Sequence, residues 1–191
     1  MNWLAHLVLA ESQAAFRVGS VLADILPLDE LRALPAGFQA GIAQHRAIDS
    51  FTDRHPLFRQ SIARLPPPFR RYGGIIMDVY YDHLLTVHWP EHCSVALPQF
   101  VAGFHDDVEL CRAELPAGAT AILDRMRLGG WLVAYGDLDG VRLTLNRIAR
   151  RLRRPFDLGA ATRELARQHT LLEQDFATFF PEIRSRFGHL G

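Results

Sequence analysis

Apolar residues recur at intervals of three and four along nearly the whole chain, while alternating β-branched runs joined by Asn-Gly or Asp-Gly turns are scarce. The pattern predicts an all-α fold. Asn2 stands where a cap would open a first helix through about residue 11, and Ser12 is placed to cap a second through Leu26, which Pro27 stops. Beyond a proline-marked loop around Pro35 a third helix is expected over residues 37–52, and Pro56 permits another over about 57–65. The run Pro66-Pro67-Pro68 then interrupts the chain, because proline lacks the amide that continues a helix. The longest apolar stretch follows, from Phe69 to His88, and reads as a central buried helix. Further helices are expected near 95–114, 118–128, 138–153 and 158–187, with an aspartate cap available in Gly136-Asp137-Leu138-Asp139 and a break at Pro155. No internal repeat or low-complexity linker divides residues 1–191, so a single helical domain is expected.

Composition narrows the partners. With 49% hydrophobic residues the chain can bury a sizeable core, and 21 basic residues balance 21 acidic ones. That neutrality argues against bulk attraction to nucleic acid or an anionic membrane, so an electrostatic partner must be recognised by a local patch. Every basic residue is Arg and none is Lys, which excludes Schiff-base chemistry and a P-loop lysine and leaves guanidinium forks as the phosphate clamps. Cys93 and Cys111 have neither C-x-x-C spacing nor a zinc pattern and are expected to be free buried thiols. The start, MNWLAHLVLAESQ, lacks a basic leader, and no apolar run approaches the roughly 20 residues of a membrane span. A cytoplasmic protein is expected.

Candidate chemistry lies in the first half. Asp24 sits among apolar and small neighbours in Val18-Gly-Ser-Val-Leu-Ala-Asp-Ile-Leu26 and needs a partner, either the loop before Pro27 or a ligand. In Gln44-His-Arg-Ala-Ile-Asp-Ser-Phe-Thr-Asp53, helical geometry stacks His45, Asp49 and Asp53 on one face. Imidazole with carboxylate suits a divalent cation; the alternative is a His-Asp hydrogen bond, an Arg46 to Asp49 pair and an Asp53 that merely ends the helix. Asp78 and Asp82 lie four apart in the most buried helix, where two like charges repel and a cation between them would remove the penalty. His83, about 100° around the helix from Asp82, is a candidate acid or supporting donor. His6 interrupts the apolar first helix and reads as a core histidine or a site residue. His55, His88, His92, His105, His169 and His189 fall near helix ends or on mixed faces and receive no role, and Phe69-Arg-Arg-Tyr72 reads as a solvated helix start.

These segments resemble the acyl carrier protein phosphodiesterases. The resemblance rests on MNWLAHLVLA, GSVLADIL, AGIAQHRAIDSFTD and RRYGGIIMDVYYDHLLTVHW in that order, with Trp131-Leu-Val-Ala-Tyr-Gly-Asp-Leu-Asp139 and Asn146-Arg-Ile-Ala-Arg-Arg151 in the second half. Gly136 departs from the bulkier residue the family usually has there. The resemblance implies a helical fold akin to a divergent HD-type phosphohydrolase and a bound divalent cation, manganese or else magnesium. It implies metal candidates Asp24, His45, Asp49, Asp78 and Asp82, with His6 and His83 beside them. The implied reaction removes 4′-phosphopantetheine from a serine of holo acyl carrier protein. In that reading Asp24 helps hold the cation, and Arg46 or His83 stabilises charge or protonates the leaving serine oxygen.

Two other classes remain open. One is an HD-like phosphohydrolase of nucleotides or small phosphodiesters, the other a helical binding protein without catalysis; the absence of any Glu-x-x-His argues against a ferritin-like di-iron protein. Between Arg142 and Arg154 lie six Arg and no acid. Leu143, Leu145, Ile148 and Leu152 are expected to face the core, leaving Arg147, Arg150, Arg151 and Arg154 wet and able to dock an acidic carrier protein. A solvated helix end is the alternative, and Arg46, Arg70 and Arg71 are other docking candidates.

Overall fold

Helix α1 (Trp3–Leu9) buries Leu4, Ala5, His6, Leu7 and Leu9, so it has hardly a wet face. The computed structural model describes residues 1–188, and His189 lies outside them. Asn2 occupies the cap position without capping: its amide donates to the Tyr135 hydroxyl at 2.7 Å. The cap comes instead from mid-chain, where Asp82 accepts from the backbone N–H groups of Leu4 at 2.8 Å and Ala5 at 3.2 Å. Helix α2 (Ala14–Leu22) begins after Gln13, leaving Ser12 exposed and uninvolved, and it stops short of Leu26. Asp24 therefore lies in a turn ahead of Pro27 and not on a helix.

Helix α3 (Leu28–Ala33) fills the segment read as a loop; six residues are too few to show a period, though Asp29 and Glu30 complement its N-terminus. Helix α4 (Ala36–Arg54) crosses α2 with backbone almost touching backbone. A methyl group on Gly41 would stand 2.0 Å from the Phe16 carbonyl oxygen, and one on Gly19 would stand 2.3 Å from that of Phe38. Only glycine permits that approach.

Helix α5 (Pro56–Arg64) is capped by the His55 ring, which accepts from Leu57 N–H at 3.3 Å. A 3-10 turn at Phe69–Tyr72 replaces the first turn of the expected central helix, and α6 (Gly73–Val87) then buries Ile76, Met77, Val79, Tyr80, Tyr81, Leu84 and Leu85. Helices α7 (Trp89–His92), α8 (Leu97–Cys111) and α9 (Ala117–Leu128) follow. A 3-10 turn at Ala134–Gly136 leads to α10 (Leu138–Ala149), capped by Asp137, whose carboxylate accepts from Gly140 N–H at 2.7 Å.

Helix α10 ends before the arginine-rich stretch is complete, so Arg150 to Arg154 lie in the following turn. Leu143, expected in the core, is 57% exposed, because it lies about 200° around the helix from the buried Val141 and Leu145 face. The last expected helix is divided into a 3-10 turn at Gly159–Ala161, α11 (Thr162–Arg167) and α12 (His169–Phe187). Gln168, with φ −98° and ψ 4°, makes the break. One continuous hydrophobic cluster runs from Met1 through α6 to Ile183, and no strand occurs among the described residues. Cys93 and Cys111 are free, the first only half-buried. Among the described residues no helix is long and apolar enough to cross a membrane.

Candidate active site

The turn after α2, the middle of α4, the first half of α6 and the beginning of the chain meet at one place. Asp24 comes from the turn, His45 and Asp49 from α4, and Asp78 from α6. His45 is buried, and its Nδ1–H donates to the Ser20 carbonyl at 2.7 Å. That bond aims Nε2 at Asp49 Oδ2, 3.0 Å away, and at Asp24 Oδ1, 3.3 Å away. A backbone carbonyl behind one ring nitrogen is how a metal-ligating imidazole is oriented. The His6 ring stacks on that of His45 with centroids 3.8 Å apart, and its Nε2 lies 3.1 Å from Asp49 Oδ1. The Met1 α-ammonium reaches Asp49 Oδ1 at 3.1 Å and Asp78 Oδ1 at 2.9 Å, the latter an ion-pair contact without hydrogen-bond alignment.

The charges are strongly coupled. Burial opposes a charge on His45, yet its hydrogen bonds to Asp24 and Asp49 hold its pKa up at about 9. Burial pushes His6 down to about 4, with the Asp49 bond offsetting only part. Burial works against the α-ammonium too, but Asp78 and Asp49 raise it to about 11. Asp49 overcomes burial through His45 and His6 and stays far below the usual carboxylate range, and His45 likewise lowers Asp24. Burial raises Asp78. One ligand atom each from His6, His45 and Asp49 lie within 4.8 Å of one another. Two buried atoms of the cluster, His6 Nδ1 and Asp78 Oδ1, have no hydrogen-bond partner. Oxygen and imidazole donors gathered in this way, with His6 Nδ1 unpaired and Asp78 Oδ1 held only by its ion pair, fit a divalent cation.

A cleft of about 250 Å3 opens over Asp24, Asp49 and Asp78, and Trp3, Ile148 and Arg151 also line it. A larger groove of about 710 Å3 lies elsewhere, between the end of α1 and α8, and holds none of these groups. The remaining residues singled out in the sequence are placed apart. Asp82 is fully buried and turned to the α1 backbone; burial raises its pKa to about 7, against the pull of the Leu4 and Ala5 bonds. His83 donates through Nδ1 to the Tyr135 carbonyl at 2.7 Å, and burial lowers its pKa. Neither it nor Tyr135 lines the cleft. Arg46 is exposed and does not line the cleft, and Asp53 is exposed at the end of α4.

Among the arginines, Arg147 lies over the Trp131 ring at 4.0 Å, Arg151 lines the cleft, and Arg150 and Arg154 are exposed. Trp3 and Trp131 are stacked at 6.1 Å, and the Trp3 indole N–H donates to Asp24 Oδ2 at 3.1 Å. Helical periodicity offered no signal for this aromatic wall or for the Met1 amine; Trp3 and Trp131 fall inside segments that carry the family resemblance, yet nothing in their spacing joins them.

An all-helical chain that gathers carboxylates, imidazoles and an arginine on one cleft has the makings of a phosphoester hydrolase. The family model for acyl carrier protein phosphodiesterases matches residues 1–183. A protein of that name from Enterobacter sp. (strain 638) is 31% identical over 184 residues, covering 96% of this chain and 95% of its own. Those from Shigella boydii serotype 18 and Escherichia coli O139:H28 are 30% identical over 190 residues, covering 99% of this chain and 98% of theirs. No solved structure gives a significant match. The chain belongs to the acyl carrier protein phosphodiesterase family, and so to the phosphodiester hydrolases.

Proposed function

We propose that this chain cleaves the phosphodiester joining 4′-phosphopantetheine to a serine of holo acyl carrier protein, releasing the apo carrier and the free arm. The observation that carries the reading is the meeting of Asp24, Asp49 and Asp78 with His6 and His45 under a cleft that Arg151 also lines. A divalent cation, manganese or else magnesium, would be held by His45 and Asp49, with Asp24, Asp78 and His6 completing the donor set. Bound there, it supplies positive charge to the ester's oxygens and lowers the pKa of a water toward neutrality. His45, fixed by the Ser20 carbonyl, keeps Nε2 aimed into the cluster. Asp49 holds the two imidazoles together, and Arg151, which lines the same cleft, offers donors to the phosphoryl oxygens. The likeness to HD-type phosphohydrolases rests on the family resemblance, with the helical scaffold in keeping with it and residues 1–191 working as one domain.

The direct test weighs the carrier before and after incubation with purified protein. Manganese is expected to restore activity that a chelator removes, and zinc to restore less, because a carboxylate-rich site without thiolate suits a hard cation. Full turnover by protein shown metal-free by elemental analysis would remove the cation from the reading. A carrier of unchanged mass under every metal would remove the reaction.

A further inference from the structure

Beside the cleft a second, smaller pocket of about 40 Å3 opens between α10 and the beginning of the chain. It is larger than the space one water needs. Thr144 forms part of its floor, 4% exposed, and its hydroxyl has no hydrogen-bond partner. An unpaired buried hydroxyl is costly, so its retention calls for a ligand. Tyr135, also in the lining, accepts from the Asn2 amide at 2.7 Å and so keeps its own proton to give. Arg147 and Arg151 complete the polar lining, which contains no carboxylate.

The arginines are placed by different means. Arg147 is held flat on Trp131, Trp131 is stacked on Trp3, and Trp3 is tied to Asp24 through its indole N–H. Arg151 lines both this pocket and the cleft above the carboxylates. Cation-attracting groups thus stand on one side of Arg151 and anion-attracting groups on the other. Guanidinium and hydroxyl donors with no acidic neighbour are the complement of an oxyanion.

We propose that this pocket is an oxyanion subsite that takes phosphoryl oxygens of a phosphate ester, with Thr144 and Arg151 as donors and with Arg147 and Trp3, both backed by Trp131, in its wall. The identity of the ester rests on the phosphodiesterase reading above; the affinity for phosphoryl oxygen does not. Thr144 is a binding residue here, distant in sequence from the motifs that carry the chemistry.

The test titrates inorganic phosphate into the full chain after chelation, by calorimetry or phosphorus NMR, comparing wild type with Thr144→Val and Arg151→Gln. Valine keeps the shape of threonine and removes only the hydroxyl. Wild type is expected to bind phosphate, and each variant to bind it about tenfold or more weakly, the scale of one hydrogen bond to a charged group. Phosphate should raise the wild-type Tm more than that of Thr144→Val. Without phosphate the Thr144→Val variant should melt no lower than wild type, since the hydroxyl has no partner to lose. Equal phosphate affinity in all three proteins, or none in wild type, overturns the subsite. If phosphate binding depends on Thr144 and Arg151 while carrier protein is never cleaved, the subsite stands and the phosphodiesterase reading fails. If carrier protein is cleaved with KM unchanged in both variants, the reading stands and the subsite fails.

Discussion

Asp49 and Asp82 are both buried or half-buried aspartates with a neighbour one helical turn away, and their partners set them apart. Asp49 meets two imidazoles and an ammonium group, whereas Asp82 meets two backbone N–H groups. Asp49→Asn is therefore expected to bring carrier hydrolysis below detection, read by mass spectrometry. Asp82→Ala leaves the Leu4 and Ala5 donors stranded in the core, at a cost of about 1–3 kcal/mol. Thermal melting should show that loss equally with and without metal, at roughly 2–4 °C per kcal/mol for a chain of this size.

His45 gives a pH signature. Its folded pKa of about 9 lies above the ordinary 6.5, so the chelated protein gains stability from its charge, fully present below about pH 6.5. That contribution is expected to fade as pH rises through about 9, and Tm of chelated protein followed across the interval checks it. Metal affinity should move the opposite way, because a ligating Nε2 must first lose its proton. A Tm of chelated protein that does not fall over that range would contradict the His45 assignment.

The residue pattern revealed half of this. One-turn spacing correctly joined His45 to Asp49, since both partners lie on one helix. Asp78 and Asp82 have the same spacing, yet a step of four residues also turns the helix by 40° and climbs about 6 Å. At that height Asp82 meets the start of α1, a neighbour from 78 residues away that periodicity does not encode.

Among the elements, the crossing of α2 and α4 sets the site's dimensions. The Ser20 carbonyl that orients His45 belongs to α2, and Asp24 hangs from that helix's end, so the separation of the two helices fixes the distance from Asp24 to His45. Gly41→Ala would drive a methyl group into the Phe16 carbonyl. It is expected to cost about 1–3 kcal/mol in overpacking and to lower turnover in the fraction that folds. Denaturant melts and kcat per folded molecule measure the two effects; an alanine variant with normal Tm and kcat would show that the helices can separate freely. Helical periodicity made most of these elements legible from the order of residues alone. It failed at α3, too short to show a period, and at Gln168, where apolar spacing continues across a break that backbone geometry makes.

On the scale of the whole molecule, a chain of zero net charge carries its arginines unevenly. Arg150 and Arg154 project from the turn after α10, next to the cleft that Arg151 lines, and this is where an acidic carrier is expected to rest. Reversing both to Glu should raise KM for holo carrier protein about tenfold at low salt and flatten its salt dependence, with the chelated protein's phosphate binding unaffected. An unmoved KM would assign the docking elsewhere.

The Asp82 bond to α1 also orders events in time. The first helix cannot receive its cap until a residue 78 positions later has been synthesised, an interval of about 4–16 s at ordinary ribosomal speeds of about 5–20 residues per second. Throughout that interval Leu4, Leu7 and Leu9 can pack only on helices already made, α2 foremost, and lack the α6 side of their core. The segment that later frames the cleft is thus made well before the aspartate that caps it, and its docking is complete only once α6 is in place.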